Sequence, residues 1–580
     1  MKPLVICTTL LVEKSPQALP LGAACIASAI KQSPLTGKLC QVKLTAFSAE
    51  DPDIKEAATA SNASPSAPAA YITNKLLSEN PAIVCFSVFV WNRLVLEEVS
   101  LSLREKGIVT IAGGPEITAH PEVFTAFDYL ATGEGEIKVP ALIAEILAKA
   151  EGGEAGSKAG ESGSATSQAS PSSPQCPLTA AQIDLASLSS PYLDGTIDPA
   201  EYGGALWELA RGCPFKCSYC YESKGSKTVR LFPMERIRAE LELFAEKKIP
   251  QVFVLDPTYN ANKDRALEIL KLMAKKTPDT FYYFEARAEF ITPELAKAFA
   301  RLPCAVQIGL QSANPDVLAL VHRPFNKKVF VKNIGILNRE GVIFGFDLIF
   351  GLPGESLSGF KDGIDFAISL YPNNLELFCL SVLPGTDLYD RAQELHLTFD
   401  ANPPYHILHT DRFSKDDISR AASLSAACNI FYNDGRAVPW FNTICHAAKI
   451  RPSQVFSQFA DYLKAGNYGG AGIGPLPQPS SLRHKEIEAL QLDFVKKLFA
   501  KKGLDRLYKA ARDIIALNGA ISRTQDTGKS ENLSLTYNAE YLASEYATDL
   551  PFFCQKVKPK PCKVQTFMNG RLADFRITKG

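Results

Sequence analysis

Strand-like and helix-like stretches alternate along two long parts of this 580-residue chain, and this alternation restricts its fold more than any other feature. In the first part, apolar strand-like stretches at 4–12, 39–47, 82–90 and 109–112 are separated by stretches with helical periodicity. Such alternation is typical of a parallel sheet with helices on both faces. We therefore predict a doubly wound, Rossmann-like α/β domain over residues 1–150.

A stretch rich in Gly, Ser and Ala follows at residues 151–175 and marks the clearest boundary in the chain. It has no apolar periodicity, so it cannot bury enough surface to order itself. Residues 151–200 are accordingly predicted to be a disordered linker followed by a crossover into the next domain.

Six further strand-like stretches, again with helical segments between them, occupy the second part at 206–210, 251–256, 281–286, 305–310, 343–350 and 375–383. We assign residues 201–400 to a second α/β domain on this pattern. Residues 401–580 have helical periodicity at 415–433, 452–464 and 485–501, and alternate more like strands over 533–577. They are predicted to form a mostly helical domain.

Charge and cysteine content narrow the classes of function. Lys plus Arg and Asp plus Glu number 62 each, so no overall field attracts nucleic acid, and we expect no nucleic-acid partner. No apolar run approaches the roughly 18 residues that a membrane span requires. The 14 cysteines are scattered and suit a reducing compartment. We expect a cytoplasmic protein.

Three cysteines stand close together at a C-x3-C-x2-C spacing, after the first strand of the second domain. They are Cys213, Cys217 and Cys220. Three thiolates can hold a four-iron cluster and leave one iron without a protein ligand, free to bind another molecule. The alternative is a set of buried apolar cysteines or an incomplete zinc knuckle, but the chain has no second cysteine or histidine pair to complete one.

The spacing, the Arg-Gly-Cys-Pro entry and Tyr219 together resemble the radical S-adenosylmethionine (SAM) superfamily. The resemblance implies a partial (β/α)6 TIM-type barrel in which SAM binds the open iron of a 4Fe–4S cluster. Tyr219 would lie against the adenine, and one-electron cleavage of SAM would give a 5′-deoxyadenosyl radical. The resemblance also implies SAM contacts at the strand ends, from Asp256, Glu285, Arg287, Gln311, Ser312 and Gly351.

Loops of the first domain resemble the cobalamin-binding domain of the cobalamin-dependent radical SAM class, in a branch with an uncharacterised C-terminal extension. The resemblance implies that residues 401–580 form this extension and cap the substrate site. The residues expected to bind cobalamin are Leu21, Gly22, Ser87, Val88, Trp91, Asn92, Gly113, Gly114, Pro115, Glu116, Gly133 and Gly135. The D-x-H-x-x-G motif that supplies a histidine to cobalt elsewhere is absent. The lower face of the cofactor would then meet residues such as Val88, Trp91 or Asn92, while His120 is interpreted as a surface or capping residue.

The function that this resemblance implies is methylation of an unactivated carbon, or of phosphorus, in a small molecule or peptide. The expected partners are that substrate and an electron donor such as flavodoxin or ferredoxin. One alternative keeps the cofactors but catalyses a cyclisation or rearrangement without methyl transfer. Another is a non-catalytic corrinoid-binding protein. A methylthiotransferase would need its own three-cysteine cluster in the first domain, where Cys7, Cys25, Cys40 and Cys85 are expected to be core residues instead.

Overall fold

The structure is a computed structural model that describes residues 2–55, 66–154, 183–223, 229–466 and 482–578. Side chains of residues 151–154 and 223 are not described. Most of the predicted linker, residues 155–182, lies outside the described residues. Among the helices of the described ranges, none is both long and apolar enough to cross a membrane.

The N-terminal domain contains a five-stranded parallel sheet in the order β2-β1-β3-β4-β5. Its strands are β1 (Leu4–Leu11), β2 (Gln41–Ser48), β3 (Ile83–Ser87), β4 (Val109–Gly113) and β5 (Tyr129–Ala131). Its helices are Leu21–Gln32, Ala67–Ser78, Arg93–Arg104, Pro115–Ala119 and Gly135–Glu154. Separate apolar cores lie on the two faces, because successive strand residues point to opposite sides. The predicted doubly wound fold is confirmed.

The second domain is a six-stranded parallel sheet in the order β13-β12-β11-β10-β9-β6. Its strands are β6 (Ala205–Trp207), β9 (Gln251–Val254), β10 (Phe281–Ala286), β11 (Cys304–Gln311), β12 (Ile343–Phe350) and β13 (Asn374–Cys379). The helices that follow them include Met234–Glu246, Lys263–Lys276, Pro293–Phe299, Pro315–Leu320, Lys327–Glu340, Leu357–Ile368 and Asp387–Asp390. Six successive strand–helix units give the predicted partial (β/α)6 architecture.

Two short strands flank the cysteine motif, and two more follow the large sheet. β7 (Ala210–Arg211) and β8 (Arg230–Leu231) pair antiparallel, as do β14 (Thr398–Phe399) and β15 (Ile407–His409). The first pair forms the stem of the cysteine loop and the second closes the exit from β13.

Strand β11 shows how this sheet divides its side chains. Cys304, Val306, Ile308 and Leu310 are buried, whereas the residues between them are only partly buried. Buried positions face the surrounding helices, so the alternate positions, which include Gln307 and Gln311, line the inner face. The inner face of the sheet is therefore polar at β11.

The C-terminal part is mainly helical and shares one large core with the second sheet. Its helices are Lys415–Cys428, Phe441–Ala448, Pro452–Ala465, His484–Lys501, Tyr508–Thr527, Ala539–Leu542 and Leu550–Lys556. A π-helical segment, Asn429–Asp434, follows the first of them. An antiparallel sheet is formed by β16 (Asn532–Leu535), β17 (Cys562–Asn569) and β18 (Leu572–Thr578). The strand-like interpretation of residues 533–577 is wrong where the helix Leu550–Lys556 lies, and the helix Tyr508–Thr527 was not predicted.

The crossover into the second domain is held by polar contacts. The Tyr192 hydroxyl donates to the Leu206 carbonyl at 2.6 Å, and the Ser190 hydroxyl donates to the Glu240 carboxylate at 2.6 Å. The Ser28 hydroxyl of the N-terminal domain donates to Asp194 at 2.6 Å. Residues 190–194, near the end of the predicted linker, are thus ordered and hydrogen-bonded to both domains.

Glu240 is a buried carboxylate that accepts several of the hydrogen bonds at this crossover. It is 1% exposed and also accepts hydrogen bonds from the Trp207 indole at 2.7 Å and the Arg236 guanidinium at 2.9 Å. A buried carboxylate is tolerated only where it is paired and hydrogen-bonded in this way. Glu240 therefore joins the crossover, the first barrel strand and the helix Met234–Glu246.

We predict that Glu240→Ala lowers the free energy of unfolding by about 3 kcal/mol or more, because it leaves the Trp207 and Ser190 donors and the Arg236 cation without their acceptor. Glu242→Ala, on the same helix, is the matched control. Its exposed ion pair with Lys276, 2.9 Å long, contributes about 1 kcal/mol at most. Thermal unfolding of both variants measures the difference, and equal shifts in the unfolding temperature would contradict the assignment.

Candidate active site

The cysteine loop leaves its stem through Gly212, whose φ of +93° suits glycine, and runs along the edge of the second sheet. Cys217 is 6% exposed, and Cys213 and Cys220 are half-buried. The Ser218 backbone binds on both sides: its N–H donates to the Val321 carbonyl at 3.0 Å, and its carbonyl accepts from the Leu388 N–H at 2.8 Å. These bonds fix the loop against two later segments of the barrel.

The thiols lie among polar side chains. The Thr258 hydroxyl is 3.8 Å from the Cys213 sulfur, and the Arg323 guanidinium donates to the Cys217 sulfur at 3.7 Å. Arg323 is only 9% exposed and also donates to the Gly309 carbonyl. Burial raises the pKa of the Cys220 thiol to about 11.

Among the described residues, no three His, Cys, Asp or Glu side chains converge as ligands of a single metal ion. Three thiols on one short loop are the ligand set that a four-iron cluster with one open iron requires. Cys213, Cys217 and Cys220 therefore remain the residues predicted to hold such a cluster.

Asp256, after β9, holds the stem of the loop. Its Oδ1 accepts the backbone N–H groups of Leu209 and Ala210, each at 2.9 Å. Burial raises the pKa of Asp256 to about 7, although the two N–H donors favour the ionised form. This oxygen is therefore already bound to the protein, a contact that the sequence did not predict.

Glu285 and Arg287 do not pair with each other. The Arg287 guanidinium binds Glu289 at 2.8 Å and lies 4.0 Å from the ring of Phe215, inside the cysteine loop. The Glu285 side chain is accessible to solvent on the inner face of the sheet, but protein atoms surround much of its carboxyl group. This partial desolvation, together with the nearby Asp347, raises the pKa of Glu285 to about 7.

Asp347 extends this acidic face. Burial raises its pKa to about 6, and it accepts a hydrogen bond from the Gln307 amide at 2.7 Å. It was not among the predicted site residues. A single carboxylate inside the apolar strand β12, Ile-Phe-Gly-Phe-Asp-Leu-Ile-Phe, is the sequence signal that could have identified it.

The predicted contacts at the ends of β11 and β12 divide into two kinds. The Ser312 hydroxyl donates to the buried Glu355 carboxylate at 2.6 Å and so serves the local fold. Gln311 instead has a φ of +68°, and its side-chain oxygen is buried without a hydrogen-bond partner among the described residues. An orphaned buried acceptor is costly, so Gln311 fits a residue that receives a ligand. Gly351, with a φ of +86°, packs against Ile407.

Tyr219 lies beside the buried Arg323 and the Cys217 sulfur, and burial raises the pKa of its hydroxyl. Its ring also contacts the apolar cluster at the exit of the sheet, near Val321 and Leu388. The side chain is thus held at the mouth of the barrel between the cysteine loop and the last strands.

The loops that follow β1, β3, β4 and β5 lie side by side along one edge of the N-terminal sheet, at the carboxyl ends of its strands. This edge is next to the point between β1 and β3 where the strand order reverses. A Cβ on Gly22 would lie 3.8 Å from the Ser87 hydroxyl, and a Cβ on Gly114 would lie 2.5 Å from the Val88 carbonyl oxygen. The Gly133 N–H donates to Thr118 at 2.9 Å. The predicted cobalamin-binding glycines therefore allow close packing of these loops upon one another.

The three residues predicted for the lower face of cobalamin differ in accessibility. Asn92 is buried, and its amide donates to the Thr9 hydroxyl and to two carbonyls. Val88 is also buried, whereas Trp91 is 55% exposed and stacks on Phe89 with the ring centroids 4.6 Å apart. Of the three, Trp91 offers a flat apolar surface, which fits a large planar cofactor at this edge.

Glu116, also predicted to bind cobalamin, contacts the second domain. It is 5% exposed and accepts a hydrogen bond from the Tyr405 hydroxyl at 2.7 Å. Arg93 donates to the same hydroxyl at 2.7 Å. His120 pairs with Glu122 at 3.0 Å and lies against Tyr389. These contacts join residues far apart in sequence, so no local motif announces them. The remaining predicted residues Leu21, Gly113, Pro115 and Gly135 lie in or beside the same loops.

We predict that Asp256→Asn changes stability in a pH-dependent way. The pKa of Asp256 rises from 3.8 to about 7 on folding, so wild-type stability falls as the pH rises through that window and is level above it. Asparagine keeps an oxygen for both N–H groups but does not ionise. The unfolding temperature of Asp256→Asn minus that of wild type should therefore be larger at pH 8 than at pH 5.

Asp256→Ala is the control for this experiment, because it removes the acceptor as well as the charge and should destabilise the protein at both pH values. If the unfolding temperatures of Asp256→Asn and wild type differ by the same amount at pH 5 and at pH 8, the Asp256 carboxyl does not titrate between these pH values.

Comparison with known proteins identifies the middle and end of the chain. Residues 207–367 match the Radical SAM superfamily, and residues 393–475 match a family described as a protein of unknown function, DUF4080. The first part of the extension predicted to be uncharacterised, up to residue 475, thus matches a family without an assigned function.

Two curated relatives carry names that state a chemistry. The cobalamin-dependent radical SAM methyltransferase TokK of Streptomyces tokunonensis is 28% identical over 341 residues, 53% of this chain and 48% of its own length. The 2-(S-pantetheinyl)-carbapenam-3-carboxylate methyltransferase of Streptantibioticus cattleyicolor is 31% identical over 49% of this chain and 44% of its own length. The chain spans about half the length of these relatives.

Solved structures share the fold. The radical SAM methyltransferase TsrM from Kitasatospora setae, with cobalamin and a 4Fe–4S cluster bound, superposes with a TM-score of 0.52 at 16% identity, covering 73% of this chain and 85% of its own. The cobalamin-dependent SAM radical enzyme OxsB, with aqua-cobalamin and SAM bound, gives 0.54 at 14% identity, covering 87% and 80%.

Proposed function

The chain belongs to the cobalamin-dependent radical SAM family, and from this premise we propose that it is a methyltransferase acting on an unactivated carbon, or on phosphorus, of a small molecule or peptide. One observation carries the proposal. The cysteine loop and the edge where four loops of the N-terminal sheet meet are joined directly, because Arg211, next to the loop, forms ion pairs with Glu134 and Glu136 of that edge. Two sites of different chemistry therefore share one interface.

The residues of the chain have distinct tasks in this proposal. Cys213, Cys217 and Cys220 would hold a 4Fe–4S cluster, and Gln311, Glu285 and Tyr219 would bind SAM beside it. Trp91 and the loop glycines would hold cobalamin. When bound, these cofactors supply one-electron cleavage of SAM and a transferable methyl group. An electron donor such as flavodoxin or ferredoxin would deliver the electrons.

The acidic inner face gives the protein a way to bind a cationic ligand such as SAM. Glu285 and Asp347 have raised pKa values, near 7 and 6, so part of each population is protonated at neutral pH. A bound sulfonium or ammonium group would favour the ionised forms and gain attraction from both carboxylates. The surrounding helices and the C-terminal part would exclude water from the reacting groups.

We predict that the wild-type protein, reconstituted anaerobically with iron and sulfide and then reduced, cleaves SAM to 5′-deoxyadenosine. Cys217→Ala should abolish this cleavage and lower the bound iron, because two thiolates hold a cluster poorly. Cys562→Ala is the matched control. The Cys562 thiol donates to the Tyr537 carbonyl at 3.4 Å in the C-terminal sheet, away from the site.

Cleavage of SAM by Cys217→Ala at the wild-type rate would refute the cluster assignment. A second measurement separates methyl transfer from the cyclisation alternative. With trideuteromethyl SAM, the label should reach bound cobalamin in the methyltransferase, whereas 5′-deoxyadenosine without any label transfer would favour cyclisation or rearrangement.

We predict that Gly114→Ala weakens cobalamin binding by at least about tenfold. The new Cβ meets the Val88 carbonyl oxygen and so spreads two of the four loops. Gly107→Ala is the matched control, since Gly107 also has a positive φ, +78°, but a Cβ there meets no atom within 4 Å. Both variants carry backbone strain of about 1 to 3 kcal/mol, and Gly114, with a φ of +111° and a ψ of −178°, is in a region that is essentially restricted to glycine. Absorbance titration with cobalamin compares them, and equal affinities would contradict the loop assignment.

A further inference from the structure

Arg211 lies next to the cysteine loop, and none of the tasks in cofactor binding proposed above is assigned to its side chain. It immediately precedes Gly212 and Cys213, and its side chain is 15% exposed. Its guanidinium contacts Glu134 at 3.1 Å, Glu136 at 2.7 Å and Glu208 at 2.9 Å. Three carboxylates on one guanidinium are more than a structural ion pair of the loop requires, and two of them come from the N-terminal domain.

Arg230 completes the group from the other strand of the stem. It is the register partner of Arg211 in the β7–β8 pair. Both of its terminal nitrogens contact Glu134, at 2.6 and 2.9 Å, in a bidentate arrangement. Burial raises the pKa of Glu134, but the two arginines outweigh it and hold that pKa below its usual range. Glu134 therefore bridges the two strands of the stem as a carboxylate. We call Glu134, Glu136, Arg211 and Arg230 the interdomain charge cluster.

The other end of the cysteine loop also contacts the N-terminal domain. Tyr221 follows Cys220, and its side chain lies close to Thr118 of the N-terminal domain. Thr118 in turn accepts from the Gly133 N–H at 2.9 Å and donates to the Gly114 carbonyl at 2.9 Å. The segments before and after the three cysteines thus both lie against the part of the N-terminal domain that is proposed to hold cobalamin.

Resting on the function proposed above, we propose that the interdomain charge cluster is a positioning device, which holds the cysteine loop and the cobalamin-binding edge at one fixed separation. The ion pairs described above join its members to one another and to Glu208. They act through Gly212 on one side and through Gly133 and Gly135 on the other. Loss of the interdomain charge cluster should therefore leave the cysteine loop and the cobalamin-binding loops each intact, but should misalign them with respect to each other.

The test compares Arg230→Gln with Arg238→Gln. Arg238 makes an exposed ion pair with Glu268 at 2.7 Å. Its substitution therefore removes the same charge but leaves the interdomain charge cluster unchanged. Both proteins are reconstituted with iron, sulfide and cobalamin and given trideuteromethyl SAM. For Arg230→Gln we expect bound iron, cobalamin and 5′-deoxyadenosine formation within about twofold of wild type. Label transfer to cobalamin should fall by about tenfold to 100-fold, the effect of a misplacement near 1 Å.

A second measurement does not depend on turnover. Hydrogen–deuterium exchange of the peptide that covers residues 205–221 should slow when cobalamin is added to wild type and to Arg238→Gln, and should not change in Arg230→Gln. A double-mutant cycle of Arg230→Gln and Glu134→Gln in thermal unfolding should be non-additive, because the two side chains are in direct contact.

Normal label transfer in Arg230→Gln, or an exchange response like that of wild type, would overturn the positioning role while leaving the proposed function standing. Loss of iron or cobalamin from Arg230→Gln would also overturn it, because the residue would then be required by one half-site rather than by their alignment. Failure of the wild-type protein to bind cobalamin or to cleave SAM would refute the proposed function itself.

Discussion

The candidate active site depends on how a buried cation is neutralised at the base of the cysteine loop. Arg211 is largely removed from water and is stable there only because carboxylates surround it. Two of these carboxylates belong to the N-terminal sheet and one, Glu208, to the same chain segment. The folding of the stem is therefore inseparable from the docking of the first domain. A domain interface made by charges in this way specifies one arrangement, since a shifted arrangement would leave charges buried without partners.

Backbone groups of the stem and loop are satisfied by equally specific partners. Asp256 binds two N–H groups before the loop, and the Ser218 N–H and carbonyl within the loop bind Val321 and Leu388. A segment without side-chain packing of its own must satisfy its polar groups in this manner if it is to hold one conformation. The first strand–helix unit is thus anchored to the second, the fourth and the exit of the sheet. This explains how the short segment 211–220 can present three thiols in a fixed arrangement.

Local pattern was sufficient for the architecture and for the cysteine loop. Alternation of strand-like and helix-like stretches predicted β10 and β12 with the bounds that the structure has, because strands inside a parallel sheet have nearly continuous apolar runs. The roles of single polar residues could not be predicted in the same way. Asn92, Ser312 and Glu116 lie where ligand contacts were expected, yet each binds a protein group, and in the case of Glu116 that group is almost 290 residues away. The partner of a polar side chain is set by tertiary packing, which a single sequence does not display. Helix Tyr508–Thr527 escaped for a related reason, since its buried face includes Asp513 and Thr524 and so blurs the apolar period.

The two domains meet through surfaces of different character, and the difference bears on how the site can work. On one side, Leu19 and Ala24 of the N-terminal domain belong to the large core of the second domain. On the other side, the contacts at the predicted cofactor edge are polar, through Arg211 and through the Glu116–Tyr405 hydrogen bond. Apolar contact resists separation but tolerates small shifts, because it is non-directional. Hydrogen bonds and ion pairs are directional and lose their energy over small displacements. The apolar side therefore keeps the domains together, and the polar side determines their alignment where the two cofactors would meet.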